Sequence, residues 1–493
     1  MRILKLLAAI AIPPVVVFGA LYVFAGLRVE LTGGGIPQLV FRVDHDEQAA
    51  LIAKHRAAQR AAMPTRPTAP VTASPAPVAA PTNVPADAPA TPTAVAPAAG
   101  PAAEKPPYWT DFRGPRRDAD YRERPLLATW PANGLTPLWK QPAGAGYASF
   151  SAAHGRAFTI EQRGHDEVVA AYDVLTGREL WAHGWTALFR ESMGGDGPRA
   201  TPTWSDGRVY ALGAMGELQC LDDATGRLVW RTNILDDNGA RNLIWGMAGA
   251  PLIVGDAVIV TPGGPNGHSV AAYDRRKGTR LWSSQNERAG YSSPMLVTLA
   301  GREQILVFTG VGLLSVTPDR GERLWFHPWR TNADINAAQP LVISENRVFI
   351  SSGYDVGGAV LEIVPDGDGY AAHEVWRNNR MKNRFAGSVI HDGFIYGLDE
   401  SIMACVDAAT GELKWKGGRY GYGQLVLAGG RIIVLTERGD LVLLAANPDR
   451  HEELASFSAV EGKTWNMPAI VDGVLLVRNL REMAAFDLRH DAP

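Results

Sequence analysis

The sequence predicts an all-β protein, an eight-bladed β-propeller of four-stranded antiparallel blades, on three observations. First, a phrase of the form Asp-x-x-x-Gly-x-x-x-Trp recurs. It is complete at Asp173-Gly177-Trp181, Asp222-Gly226-Trp230, Asp274-Gly278-Trp282 and Asp407-Gly411-Trp415, half-kept at Gly321 and Trp325, and reduced to an apolar residue and Trp at Trp139 and Trp376. These seven of the fourteen tryptophans lie 42, 49, 52, 43, 51 and 39 residues apart, the period of a propeller blade. Second, each interval holds four short apolar runs separated by turn residues. In Ala200–Trp230 they are Ala200–Trp204, Arg208–Leu212, Glu217–Leu221 and Arg227–Trp230, punctuated by Ser205-Asp206-Gly207, Gly213–Gly216 and Asp222–Gly226. Third, after a degenerate repeat end at Phe457, three strands (Met467–Val471, Val474–Val477, Met483–Leu488) have no fourth, while Pro137–Gln141 stands unmatched at the start. Joining them closes the ring at eight blades and leaves no sheet edge open.

Four regions follow in order: residues 1–27 as an anchor, 28–63 as a small juxtamembrane segment, 64–107 as a linker and 108–493 as the propeller. Leu6–Leu27 is almost wholly apolar and, as a helix of about 33 Å, long enough to cross a bilayer. Arg2 and Lys5 precede it, so the rest of the chain is expected outside the cytoplasm, with a single pass in the inner membrane and the propeller in the periplasm. A cleaved signal peptide ending at Val23-Phe24-Ala25 is the rival reading. No cysteine lies near this segment for lipid attachment. Arg28–Val43 reads as a hairpin around Gly33-Gly34-Gly35, and Asp44–Met63 as a short polar helix capped by Asp44. Thr65–Pro107, dominated by Ala, Pro, Thr and Val, cannot build a core and is expected to be an extended tether holding the propeller away from the membrane. Tyr108–Pro131 is expected to cap a blade edge, with Phe112 and Trp130 packed inward.

The repeat Asp, Gly and Trp residues, including Trp139, Trp181, Trp230, Trp282, Trp325, Trp376 and Trp415, are read as turn and packing residues. Chemistry is sought instead at the mouth of the central channel, where loops enter each innermost strand. Those loops supply Glu191, Asp196, Arg199, Asn242, Trp245, Tyr291, Gln339, Arg384, Tyr422 and Asn466, which together suit a polar ligand or a peptide. The formal net charge of −3 carries no general nucleic-acid signal. No His-Glu-x-x-His, P-loop, Gly-x-Ser-x-Gly or Cys-x-x-Cys-His motif occurs. Cys220 and Cys405 fall in the third strands of the second and sixth blades, opposite each other in the ring, and are expected to stay unpaired.

Residues 201–230, TPTWSDGRVYALGAMGELQCLDDATGRLVW, resemble the pyrroloquinoline-quinone repeat family, and Asp111–Asp118 resembles the opening signature of many bacterial propellers of that kind. The resemblance covers about residues 108–488. It implies two functions, because the family holds both quinoprotein alcohol and sugar dehydrogenases and the propeller lipoprotein of the outer-membrane β-barrel assembly machinery. A dehydrogenase would hold the quinone on calcium, for which Glu191 and Asn242 are the candidate ligands, with Asp196 or Asp334 as base. The vicinal cysteine pair of many alcohol-oxidising members is missing. The expectation is therefore a non-catalytic binding or scaffolding module of the cell envelope, with a protein or peptide partner, no nucleic acid and no cofactor. The alternative is an atypical dehydrogenase using pyrroloquinoline quinone with calcium.

Overall fold

The computed structural model describes residues 27–30, 38–41, 44–62, 108–191, 193–367 and 369–489. The expected membrane span (apart from Leu27), the triple glycine and the linker lie outside these residues. Among the described residues no helix is long and apolar enough to cross a membrane.

Eight four-stranded antiparallel blades form the ring. The second contains Thr203–Ser205, Arg208–Leu212, Glu217–Asp222 and Leu228–Asn233, close to the strands expected there. The ring closes as the unmatched strand requires, with Pro137–Pro142 pairing antiparallel to Glu482–Asp487 as the outer strand of the last blade. In every blade the register between third and fourth strands slips by one residue, just before the turn in all but the fifth, where it lies between Val360 and Leu361; the sequence pattern does not announce this bulge.

The repeated phrase has a direct physical cause. Asp173 Oδ1 accepts the backbone N–H groups of Leu175 and Thr176 and the Thr176 hydroxyl, and Asp222 Oδ1 accepts the N–H and hydroxyl of Thr225. Hydrogen bonds from the Thr225 side chain hold the Asp222 carboxyl below its ordinary range, and those from the Arg276 and Lys277 backbones do the same for Asp274. The glycine that ends each turn has positive φ (67° at Gly177, 69° at Gly226) and lies beneath the tryptophan of the preceding blade. A Cβ on Gly177 would sit 2.5 Å from Trp139, and one on Gly226 equally close to Trp181. The indole N–H then donates to the next blade's turn, as in Trp139 to Val174 O (2.9 Å), Trp181 to Asp223 O (2.8 Å) and Trp230 to Arg275 O (2.9 Å). Trp325 departs from this pattern and donates to Gln304 Oε1. In the closing blade the turn glycine is Gly134, at φ 79°, and Phe457 covers it in the tryptophan's place.

Two strand ends define the faces. First strands begin, and second-to-third hairpins lie, on the mouth face; the Asp-to-Gly turns lie on the opposite, turn face. Leu27–Glu30 and Gln38–Phe41 pair as the expected hairpin. Helix α1 (His45–Ala61) is capped as expected, Asp44 accepting the N–H groups of Asp46 and Glu47. It is not a free polar helix. One face of it, His45, Gln48, Ile52 and Arg56, is buried against the junction of the last and first blades. Gln48 donates to Ala143 O and Leu480 O, and Arg56 donates to Gln141 (2.6 Å), pairs with Glu179 (3.3 Å) and lies over the Tyr172 ring.

The leading segment corrects another expectation. Trp130 does pack inward, against Phe457, but Tyr108–Tyr121 fills the channel rather than covering a blade edge. Asp120–Tyr121 adds a parallel strand inside the seventh blade's first strand. Trp109 O and Thr110 O accept from Ala152 and Trp204 in the first two blades. Arg117, fully buried, donates to Ala250 O, Pro251 O and Pro294 O and pairs with Asp111 (3.0 Å). Arg113, also buried, donates to Ser388 O (2.7 Å). Two buried guanidinium groups thus spread over carbonyls from several blades and hold a plug at the turn end of the channel. The segment expected to be an extended linker, residues 64–107, lies outside the described residues; the helix end before it and the plug after it both pack on the propeller.

Candidate binding mouth

The mouth is built from loops entering the first strands and from second-to-third hairpins. Its centre is an arc of rings: Tyr147 stacks on Trp465 (5.3 Å), Phe385 packs tilted at 50° against Trp465 (4.7 Å), and Phe385 meets Tyr422 edge-on (5.4 Å). Cations lie across these faces. Lys463 Nζ is 3.8 Å from the centre of Trp465, and Arg384 is sandwiched between Tyr354 (4.6 Å) and Tyr422 (4.7 Å) while pairing with Glu400 (3.2 Å). Arg199 lies over Phe189 (4.7 Å) and Tyr147 (5.6 Å) and donates to Gly195 O and Gly197 O; burial lowers its pKa. Across the mouth, Trp245 packs against Tyr291 (5.6 Å), whose hydroxyl burial pushes up to about 12.

Of the sequence candidates, Arg199, Trp245, Tyr291, Arg384 and Tyr422 belong to this lining. The others hold loops in place. Asn466 is fully buried, donating to Gly146 O and Ala148 O; Gln339 donates to Ser293 O. Asp196 is buried between His45 (2.9 Å) and the Glu191 N–H (2.8 Å). Tyr147, Tyr354 and Lys463 went unread. Tyr354 comes from a second-to-third hairpin, which reaches the mouth as the entering loops do; Gly146-Tyr147 immediately before a first strand was the available signal for Tyr147.

The residues considered for quinone and calcium are engaged within the protein. Glu191 accepts the N–H groups of Met193 and Gly194 from its own loop. Asn242 Oδ1 takes the Leu243 N–H, and its Nδ2 donates to Ala214 O. Asp334, a base candidate, is paired with Arg288 (2.5 Å), and Asp196 with His45. Among the described residues no three His, Cys, Asp or Glu side chains gather as a metal site. Cys220 and Cys405 are unpaired and buried, and burial pushes both thiols up to about 12.

Comparison with known proteins agrees with this architecture. The chain is similar to the outer membrane protein assembly factor BamB of Bordetella pertussis, 21% identical over 308 residues that cover 61% of this chain and 72% of that protein. It is also 25% identical over 241 residues to the serine/threonine-protein kinase AfsK of Streptomyces coelicolor, covering 49% of this chain and 21% of the kinase. In fold it is similar to BamB from Moraxella catarrhalis (TM-score 0.53, 14% identity, 73% of this chain and 99% of that one). It is equally similar to quinohemoprotein alcohol dehydrogenase from Comamonas testosteroni (TM-score 0.54, 13% identity, 78% and 82%). The family profile described as outer membrane protein assembly factor BamB, built on pyrroloquinoline-quinone-like repeats, matches residues 165–417, just over half of the chain, and the chain belongs to that family.

Proposed function

We propose that this protein is a non-catalytic scaffold in envelope protein assembly that holds a segment of a partner polypeptide at the channel mouth. The observation that carries this reading is the arc Tyr147–Trp465–Phe385–Tyr422 with Lys463 and Arg384 laid on its rings. Rigid aromatic side chains and arginine offer much contact area at small conformational cost, the composition that dominates protein recognition sites. The plug blocks the channel at its turn end, which suits a chain laid across the mouth rather than a solute passing through. A relative that is an outer membrane protein assembly factor supports the envelope setting. The apolar run and its basic leader support an inner-membrane anchor with the propeller in the periplasm.

The test is depletion of the protein followed by measurement of folded outer-membrane β-barrels. Their amount should fall, and wild-type protein should restore it. Trp465→Ala and Arg384→Ala should accumulate as folded protein and fail to restore it, each weakening partner capture by about tenfold or more. Unchanged β-barrel content, or alcohol-dependent dye reduction by the purified protein with quinone and calcium, would make the dehydrogenase reading the better one.

A further inference from the structure

The first helix fixes which way the mouth faces. Its N-terminal end is on the mouth rim: His45 bonds Asp196 in the loop before the second blade, Asp46 is 4.0 Å from His165 in the first blade's second-to-third hairpin, and Gln48 reaches Leu480 in the last blade's. Its other end runs down the side of the ring, where Gln59 donates to Gly177 O on the turn face. The chain therefore arrives at the mouth rim from its N-terminus.

How far the apolar run lies from that rim follows from covalent geometry. Leu27, its last residue, pairs with Phe41 across the hairpin. Paired Cα atoms are about 5.5 Å apart or closer, and three further residues to Asp44 span at most about 11 Å, so the run ends within about 16 Å of the rim. The long segment 63–107 adds nothing to this reach, because both of its ends are on the propeller.

The rim carries side chains that match a lipid surface. Met193, Met215 and Ile244 are exposed at 44%, 45% and 66%, three of the ten exposed large apolar residues among the described residues, and Asn242 Nδ2 lies 3.5 Å from Met215 Sδ, drawing two of these loops together. Arg190 and Arg241, both exposed, flank them. Apolar tips beside arginines suit the headgroup layer and phosphates of an anionic bilayer.

We propose that the propeller rests mouth-first on the bilayer that holds the apolar run, with Met193, Met215 and Ile244 in its headgroup layer. The proposal rests on the membrane-span reading of residues 6–27 and is independent of the partner reading. It also narrows that reading, since a segment captured at the mouth would be one leaving the same bilayer.

The full-length protein in nanodiscs of anionic phospholipid, some carrying a headgroup nitroxide quencher, tests it. An environment-sensitive dye is placed on Ile244→Cys at the mouth or Ala224→Cys at the turn face; Cys220 and Cys405 are fully buried and will not compete. Quenching is expected at position 244 and none at 224. In His45→Ala/Arg56→Ala protein, with the helix undocked, quenching at 244 should fall while the chain stays in the disc. Equal quenching at both positions, stronger quenching at 224, or recovery of mature protein lacking residues 1–25 outside the membrane would each overturn the proposal. Partner capture is not measured in any of these experiments, so failure of the scaffold reading would leave their outcome unchanged.

Discussion

At the level of single residues, the repeated phrase is a lock between neighbouring blades: a carboxylate shapes the turn, a left-handed glycine opens a flat space, and the preceding blade's indole fills it. Gly177→Ala would force a left-handed alanine and drive its methyl into Trp139. A loss of at least about 1–2 kcal/mol is expected from the backbone alone, read by urea denaturation. Glu167 provides a second test. It is fully buried in the first blade, bonded through one oxygen to the Ala214 N–H, and its other oxygen has no hydrogen-bond partner among the described residues. Burial raises its pKa to about 7, against the partial relief given by that hydrogen bond and by Arg199. The folded state thus holds this proton more tightly than the unfolded chain, whose carboxyl titrates near 4.5. The resulting stabilisation is complete below that value and is lost as pH rises through 7, amounting to roughly 3 kcal/mol across the interval. Wild-type stability minus that of Glu167→Gln should therefore decline between pH 5 and 8, and a flat difference would show the carboxylate to be solvated. Glu161 runs the other way: burial opposes its charge, but Arg163, Arg478 and Arg56 hold it well below the usual carboxylate range. Its contribution is present above the unfolded value and disappears only in strong acid.

Elements were legible in the sequence where a periodic apolar pattern specified them, and illegible where polar side chains did. Blade strands, the closing strand Pro137–Pro142 and the Asp44 cap followed from alternation, spacing and capping chemistry. The plug did not, because Arg113 and Arg117 look like solvated residues until eight inner strands surround them with carbonyls. Helix α1 looked unattached for the same reason: the stripe His45, Gln48, Arg56, Gln59 has helical spacing but only Ile52 is an apolar member. At the mouth, residue type was informative and role was not. Asn466 and Gln339 share the chemistry of a ligand-binding amide and spend it on loop carbonyls. Both elements can be probed separately. Arg117→Ala would leave Asp111 without its buried partner and strand three carbonyls, with an expected cost of about 3 kcal/mol, measured as a lower denaturation midpoint for the whole domain. Arg56→Ala should act locally. Amide exchange across residues 45–61 should accelerate, while the blades keep their protection.

For the whole molecule, the ring is held shut by a blade made from both ends of the domain. Deleting residues 482–493 removes the third strand of that blade and strips Pro137–Pro142 of its partner. The truncated protein is expected to melt at a lower temperature and with less cooperativity throughout, not merely to fray at its tail; unchanged cooperative melting would show that the ring holds without its clasp. The same split blade governs the order in which the fold can be completed. Synthesis delivers Pro137–Pro142 before every other blade strand and Glu482–Asp487 last, so this strand waits for nearly the entire domain before it has anything to pair with. Until then two sheet edges stay open, and Gly134 waits for Phe457 to cover it. A chain broken off anywhere before its final strands carries those edges permanently, exposed to proteases and to the strands of other unfinished chains. Closure from both ends thus acts as a proofreading step, in which only a fully synthesised copy can hide the marks of incompleteness.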